Sequence, residues 1–166
     1  MIHHEFGRSE EAEAALNKSL ESARFMGHRH LEYTVQCNLG LVLQARGQLA
    51  AACEKYATAV AGARALGAAR SESQFRCCLG LALAQAGQFV SASECLQRAL
   101  SLSHQSGDRL NESLALCALA EVEHARGERD SAHTHWLAAG KVASTSQLES
   151  FPELARRLAT VGALLA

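Results

Sequence analysis

Proline is all but missing. The chain has 166 residues and one proline, Pro152, so nothing upstream of it breaks a helix through an absent N–H. Aromatic residues are scarce at 5%, and the alanine- and leucine-rich remainder favours helix over strand. No charge of one sign dominates: the formal net charge is −1, with acids and bases interspersed. The basic footprint that a nucleic-acid partner requires is therefore lacking. No apolar run approaches the ~18 residues that cross a bilayer, so no membrane partner is expected. Neither a phosphate loop, a nucleophile elbow nor a zinc-protease motif occurs. The expectation is a protein that is not an enzyme, with no catalytic residue, no metal and no cofactor.

Six cysteines are present, Cys37, Cys53, Cys77, Cys78, Cys95 and Cys117, yet none forms a CxxC pair. No secretory leader pattern opens the chain, and each cysteine falls within a segment that reads as helical. Reduced, buried thiols in a cytoplasmic protein are the expectation.

What the chain does have is repetition. The segment CNLGLVLQARGQLAAACEKYATAV begins at Cys37, CCLGLALAQAGQFVSASECLQRAL at Cys77, and a worn third copy, CALAEVEHARGERDSAHTHWLAAG, at Cys117. Glycines keep the register, with Gly7, Gly47, Gly87 and Gly127 in one series and Gly27, Gly67 and Gly107 in another, offset by half a period. Glycine closes helix ends because it accepts the left-handed conformation. The two series cut the chain into helical segments of about 18 residues, ~27 Å each.

Apolar positions inside the segments follow steps of three and four. Leu39, Gly40 and Leu43 recur as Leu79, Gly80 and Leu83, and Ala52, Tyr56, Ala59 and Val60 recur as Ala92, Leu96, Ala99 and Leu100. These share one helix face and read as core. A single helix pair cannot bury such a face alone, which is the physical reason to repeat it. Strand-based repeats are excluded by the helical spacing.

NLGLVLQARGQLAAACEKYATAV and CLGLALAQAGQFVSASECLQRAL resemble tetratricopeptide repeats in their 40-residue form, and HQSGDRLNESLALCALA resembles the Gly-Asp link between such repeats. The resemblance implies an all-α fold: a right-handed α-solenoid of antiparallel helix pairs. It would form one array over 1–166, with a partial repeat at 1–27, full repeats at 28–67, 68–107 and 108–146, and a capping helix at 150–165. The third copy departs from the pattern at Glu123, where a bulky apolar residue is usual, and at Gln147, where the link glycine is missing.

Both ends carry expectations of their own. MIHHEFG at 1–7 aligns with LVLQARG at 41–47, so the chain reads as starting in the last turns of a first helix, followed by a second helix at about 9–26. That second helix would expose Leu16, Leu20 and Phe25, a surface through which the chain could form a homodimer. At the other end, Ser150 precedes Glu153 by three residues with Pro152 between them, a capping-box pattern. Leu154, Leu158, Val161 and Leu165 then follow at helical spacing.

In this family the first helix of each repeat lines a concave groove that holds a protein or peptide partner. Carried over by position, the groove residues are Thr34, Cys37, Asn38, Leu41 and Gln44 in the first full repeat. The second contributes Gln74, Cys77, Cys78, Leu81 and Gln85, and the third Leu114, Cys117, Ala118, Glu121 and His124. A clamp for a peptide carboxylate needs lysine and arginine at such positions, and only Asn38 fits that pattern.

Metal and thiol sites are weighed and set aside. Helices ~8–10 Å apart hold Cys37, Cys77 and Cys117 too far from one another for a disulfide or a shared metal. The Glu121–His124 spacing matches a carboxylate-bridged metal bundle only if a second such pair faces it, and His133 and His135 do not face each other. Two function classes stand: a protein-interaction module binding a segment in its groove, and a ligand-sensing regulatory segment of a larger signalling or transcription regulator.

Overall fold

The computed structural model describes residues 2–148 and 150–166, with side chains from Glu10 onward. Among these residues there are helices and no strands: α1 (Ile2–Phe25), α2 (Arg29–Ala45), α3 (Leu49–Ala65), α4 (Ala69–Gln85), α5 (Phe89–Ser106), α6 (Arg109–Ala125), α7 (Arg129–Thr145) and α8 (Pro152–Leu165). The starts of α2, α4 and α6 step by the sequence period, as do those of α3, α5 and α7. Links this short between packed helices force antiparallel neighbours.

The links share one hydrogen-bond pattern. At Gly47, φ is 73°. The Gln48 N–H donates across it to the Leu43 carbonyl at 2.9 Å, and the same bond joins Ala68 to Ala63, Gln88 to Leu83 and Asp108 to Ser103. This satisfies carbonyls that a helix end leaves orphaned. The last link keeps the geometry without the glycine: Gln147 has φ 56°, and the Leu148 N–H still reaches the Ala143 carbonyl at 2.9 Å. The hydrogen-bonded turn, rather than the residue type, imposes the left-handed conformation there.

Within a hairpin, a small residue on the first helix receives a large one from the second. A Cβ added at Gly40 would lie 2.6 Å from the Tyr56 ring, and one at Gly80 would lie 2.5 Å from Leu96 Cγ. Tyr56 and Leu96 are fully buried, each contributing ~2–3 kcal/mol through burial alone. Buried serines tie the second and third hairpins: Ser73 Oγ donates to the Ala99 carbonyl and Ser113 Oγ to the Ala139 carbonyl, both at 2.9 Å.

Each core is completed by the next hairpin. One cluster joins α2 and α3 to Phe75 and Ala82 of α4, the next joins Cys77 of α4 and α5 to Ala115, Ala118 and Leu119 of α6, and a third joins α6 and α7 to Leu154 and Val161 of α8. First helices touch in the order α2, α4, α6, α8, whereas among the described residues α1, α3, α5 and α7 do not touch one another. The stack therefore curves with α2, α4 and α6 on its inner side. Helix hairpins stacked side by side in this way fit an α-solenoid.

Three expectations about the ends are corrected. Gly7 does not break a helix, because α1 runs unbroken from Ile2 to Phe25; a glycine in a helix interior costs only ~1 kcal/mol. The side-chain alignment of residues 1–7 lies outside the described residues. Leu16 and Leu20 are not exposed but pack on Val35 and Leu39 of α2, while Phe25 is 94% exposed. At α8 the N-cap is Phe151, with no side-chain cap. Proline pushes its predecessor into extended backbone, so Phe151 takes the boundary, Ser150 falls outside it and Pro152 opens the helix.

Asp108 is the one N-cap that uses its side chain in α2–α8: its Oδ1 accepts from the Asn111 N–H at 3.2 Å, and its Oδ2 accepts from Asn111 Nδ2 and from Arg70 on α4. Burial pushes this carboxyl up, but Arg70 and Asn111 outweigh it and hold it below the ordinary aspartate value.

Gly40→Val should lower stability by about 1–3 kcal/mol through overpacking against Tyr56. Gly140→Ala, where an added Cβ meets nothing within 4 Å, should be neutral or stabilising by up to ~1 kcal/mol; urea unfolding of both variants checks the pair. Asp108→Ala should cost about 1 kcal/mol near neutral pH. Because the folded carboxyl titrates below its ordinary value, its stabilisation is present above the ordinary aspartate range and lost as pH falls through the folded value. The unfolding midpoints of wild type and variant should therefore converge in acid.

Candidate binding groove

The inner surface is built chiefly from α2 and α4. Asn38, Gln74 and Gln85 are exposed, Leu41 is 49% exposed, and Thr34, Gln44, Cys78 and Leu81 are half-buried. The Tyr56 hydroxyl donates to Gln44 Oε1 at 2.6 Å, and Gln44 Nε2 donates to Gln85 Oε1 at 2.9 Å. These bonds bridge α3 to α2 and α2 to α4, so the floor carries a fixed amide rail. The Thr34 hydroxyl is turned back onto the His30 carbonyl at 2.9 Å. Among the described residues, neither the Asn38 nor the Gln74 amide has an internal partner.

Six expected groove residues are not on this surface. Cys37 is 4% exposed, Cys77 is buried, and Cys117 and Ala118 are fully buried. Their side chains fill the seams between successive first helices, where close packing leaves no room for a ligand. Leu114 packs into the cluster that holds Leu154 and Val161, so α8 covers that part of α6. His124 lies at the array's end, in a cavity of about 300 Å³ with Arg129, His133 and Leu165, rather than in the groove. A first helix is groove-lining only where the next one leaves it open, and α8 occupies the next seat.

Glu121 does reach the inner side, where it meets Arg157 of α8 at 3.0 Å. Burial raises the Glu121 carboxyl above its ordinary value, and Arg157 offsets part of that rise. The Arg157 charge also acts on the thiols of Cys77, Cys78 and Cys117. Burial pushes the Cys117 thiol up to about 12. This ion pair forms the groove's end wall.

Glu123, the departure noted in the third copy, accepts from or pairs with His135 Nδ1 at 2.7 Å, which is how a buried carboxylate replaces an apolar residue. Among the described residues no three His, Cys, Asp or Glu side chains converge as metal ligands would. No described helix is long and apolar enough to cross a membrane.

The outer side holds cavities that sequence reasoning did not find. Splayed second helices leave about 480 Å³ over Leu100, Leu116, Leu119 and Val142, with His104 and His135 at the rim, and about 350 Å³ beside Arg24, Glu32, Gln36 and Gly62. The signal was in the repeat itself. Where the first repeat has Gln36 and Gly62 and the third Leu116 and Val142, the second has Arg76 and Leu102, and Arg76 binds Glu72 at 2.9 Å.

No protein-family model matches the chain, and no curated protein matches it. Among solved structures it is similar to the crystal structure of BtubC (BKLC) from P. vanneervenii, with a TM-score of 0.77 and 18% identity over 94% of this chain and 65% of that one. The likeness is one of fold. The chain spans less than two thirds of that protein's length.

Removing the end-wall cation should raise the Glu121 titration further. Because the folded carboxyl sits above its ordinary value, the contribution of Glu121 to stability falls as pH rises through that window, the reverse of Asp108. In Arg157→Met, carboxyl-carbon NMR should show the Glu121 midpoint above that of the wild type.

Proposed function

We propose that this chain is a tetratricopeptide-type array and a protein-interaction module that holds a peptide or protein segment in its inner groove, without catalysis. In this reading the solenoid is right-handed, with full repeats at 28–67, 68–107 and 108–146 between a partial repeat at 1–27 and the cap at 150–165. Its setting is the cytoplasm, in keeping with six unpaired cysteines.

The observation that carries the reading is an open strip on α2 and α4 where Leu41 stands exposed beside amides that nothing internal uses. Such a strip can take an extended or amphipathic segment: apolar contact supplies affinity, and Asn38 and Gln74 pair with its polar groups. The groove floor offers amides, a hydroxyl already turned onto the backbone, a thiol and aliphatic carbons, and its end-wall carboxylate is paired with Arg157, which suits binding more than bond cleavage.

Leu41 is a sharper probe than Leu81, because Leu81 packs against a core cluster and a charge there would disturb the fold. Peptides selected from a displayed library on the immobilised full chain should lose about tenfold or more in affinity for Leu41→Glu, the effect of ~1.4 kcal/mol, with thermal unfolding unchanged. Equal binding by the variant would exclude the groove.

A further inference from the structure

The seam between α2 and α4 holds a thiol pair that the sequence reading overlooked. Successive first helices face each other at a residue offset that the groove displays directly, since Gln44 bonds to Gln85, 41 positions on. Cys37 lies two helical turns before Gln44 on the same face, and the same offset from Cys37 leads to Cys78. Cys78 packs against the buried cluster that contains Cys37, where α2 and α4 touch. The equivalent offsets from Cys77 and Cys117 lead to Ala118 and Leu158, so the other seams have one sulfur each. The thiol across the seam from Cys37 is therefore Cys78, not Cys77 or Cys117.

The two thiols are unlike. Cys78 is half-buried on the groove floor, whereas Cys37 is buried behind it. The neighbouring Cys37 thiol lowers the proton affinity of Cys78 against the effect of its burial, helped by the Arg157 cation, while the neighbouring Cys78 and burial raise that of Cys37. A sulfur at the groove floor with the lower proton affinity, beside a more sheltered one, is the arrangement that thiol–disulfide exchange needs.

We propose that Cys37 and Cys78 form a reversible disulfide by exchange with a small disulfide such as oxidised glutathione. The Cys78 thiolate attacks one glutathione sulfur, forming a mixed disulfide and releasing glutathione thiolate. Cys37 then gives up its proton to that thiolate and attacks Cys78 Sγ, forming the internal bond and releasing the second glutathione. Two protein thiols are oxidised and one small disulfide is reduced to two thiols. The new bond fixes the spacing of α2 and α4, the two helices that make the groove floor, and so couples groove geometry to thiol redox state.

The test needs no binding partner and is independent of the groove reading. The full chain is incubated with oxidised glutathione without denaturant, quenched by alkylation and mapped by mass spectrometry under non-reducing conditions. A Cys37–Cys78 linked peptide should form ahead of any other pairing, disappear with dithiothreitol, be lost in Cys78→Ser and be retained in Cys77→Ser. Absence of oxidation, a link through another cysteine, or a mixed disulfide at Cys78 that never resolves would overturn the proposal. Should either variant fail to fold, as judged by circular dichroism, fragment ions of the wild-type linked peptide decide between Cys77 and Cys78.

Discussion

The structure depends on the sharing of each hairpin core with the helix that follows. Two 17-residue helices bury too little apolar surface between them to offset the chain entropy of ordering. Tyr56 against Gly40 closes the first pair, but Phe75 and Ala82 of α4 complete the cluster around it. The arrangement repeats along the array until α8 supplies Leu154 and Val161 to the last pair. Hence α8 is a required element rather than an appendage, and its apolar face answers a need created by α6 and α7.

That same sharing decides which side chains reach solvent on the inner surface. First helices must touch to complete the cores, so the positions facing along the stack become seams, filled by cysteine and alanine. Positions one helical step away are left open, and these hold Asn38, Leu41, Gln74 and Gln85. Second helices are not required to touch, and the wedge between them produces the outer cavities. Inner groove and outer cavities thus have one cause.

Electrostatics is used sparingly and at particular joints. Asp108 caps α6 while pairing with Arg70 of α4, so a single carboxylate both starts a helix and ties two hairpins together. Arg157 and Glu121 perform the corresponding tie between the cap and α6. Each is a charged group whose burial is tolerated only because a partner is in place. Their opposite proton-affinity shifts reflect which influence prevails, with the partners winning at Asp108 and burial winning at Glu121.

Much of this was legible before any coordinates. Helix periodicity, the glycine register and the recurring core positions such as Gly40, Tyr56, Gly80 and Leu96 are local properties, written in residues three and four apart, and the helix boundaries followed them closely. Gly7 misled because a glycine's place in a pattern does not make a turn unless the following residues can close the hydrogen bonds, and Gln147 shows the converse. By itself the amino-acid sequence determined that these segments are helices, where most of them stop and which faces are apolar, since backbone preference and side-chain size act within a few residues. Only the tertiary structure decided that Cys37 meets Cys78 rather than Cys77, that α8 covers Leu114, and that Leu41 is left in solvent, because the offset between neighbouring helices is set by how whole faces pack and no single stretch of chain contains it.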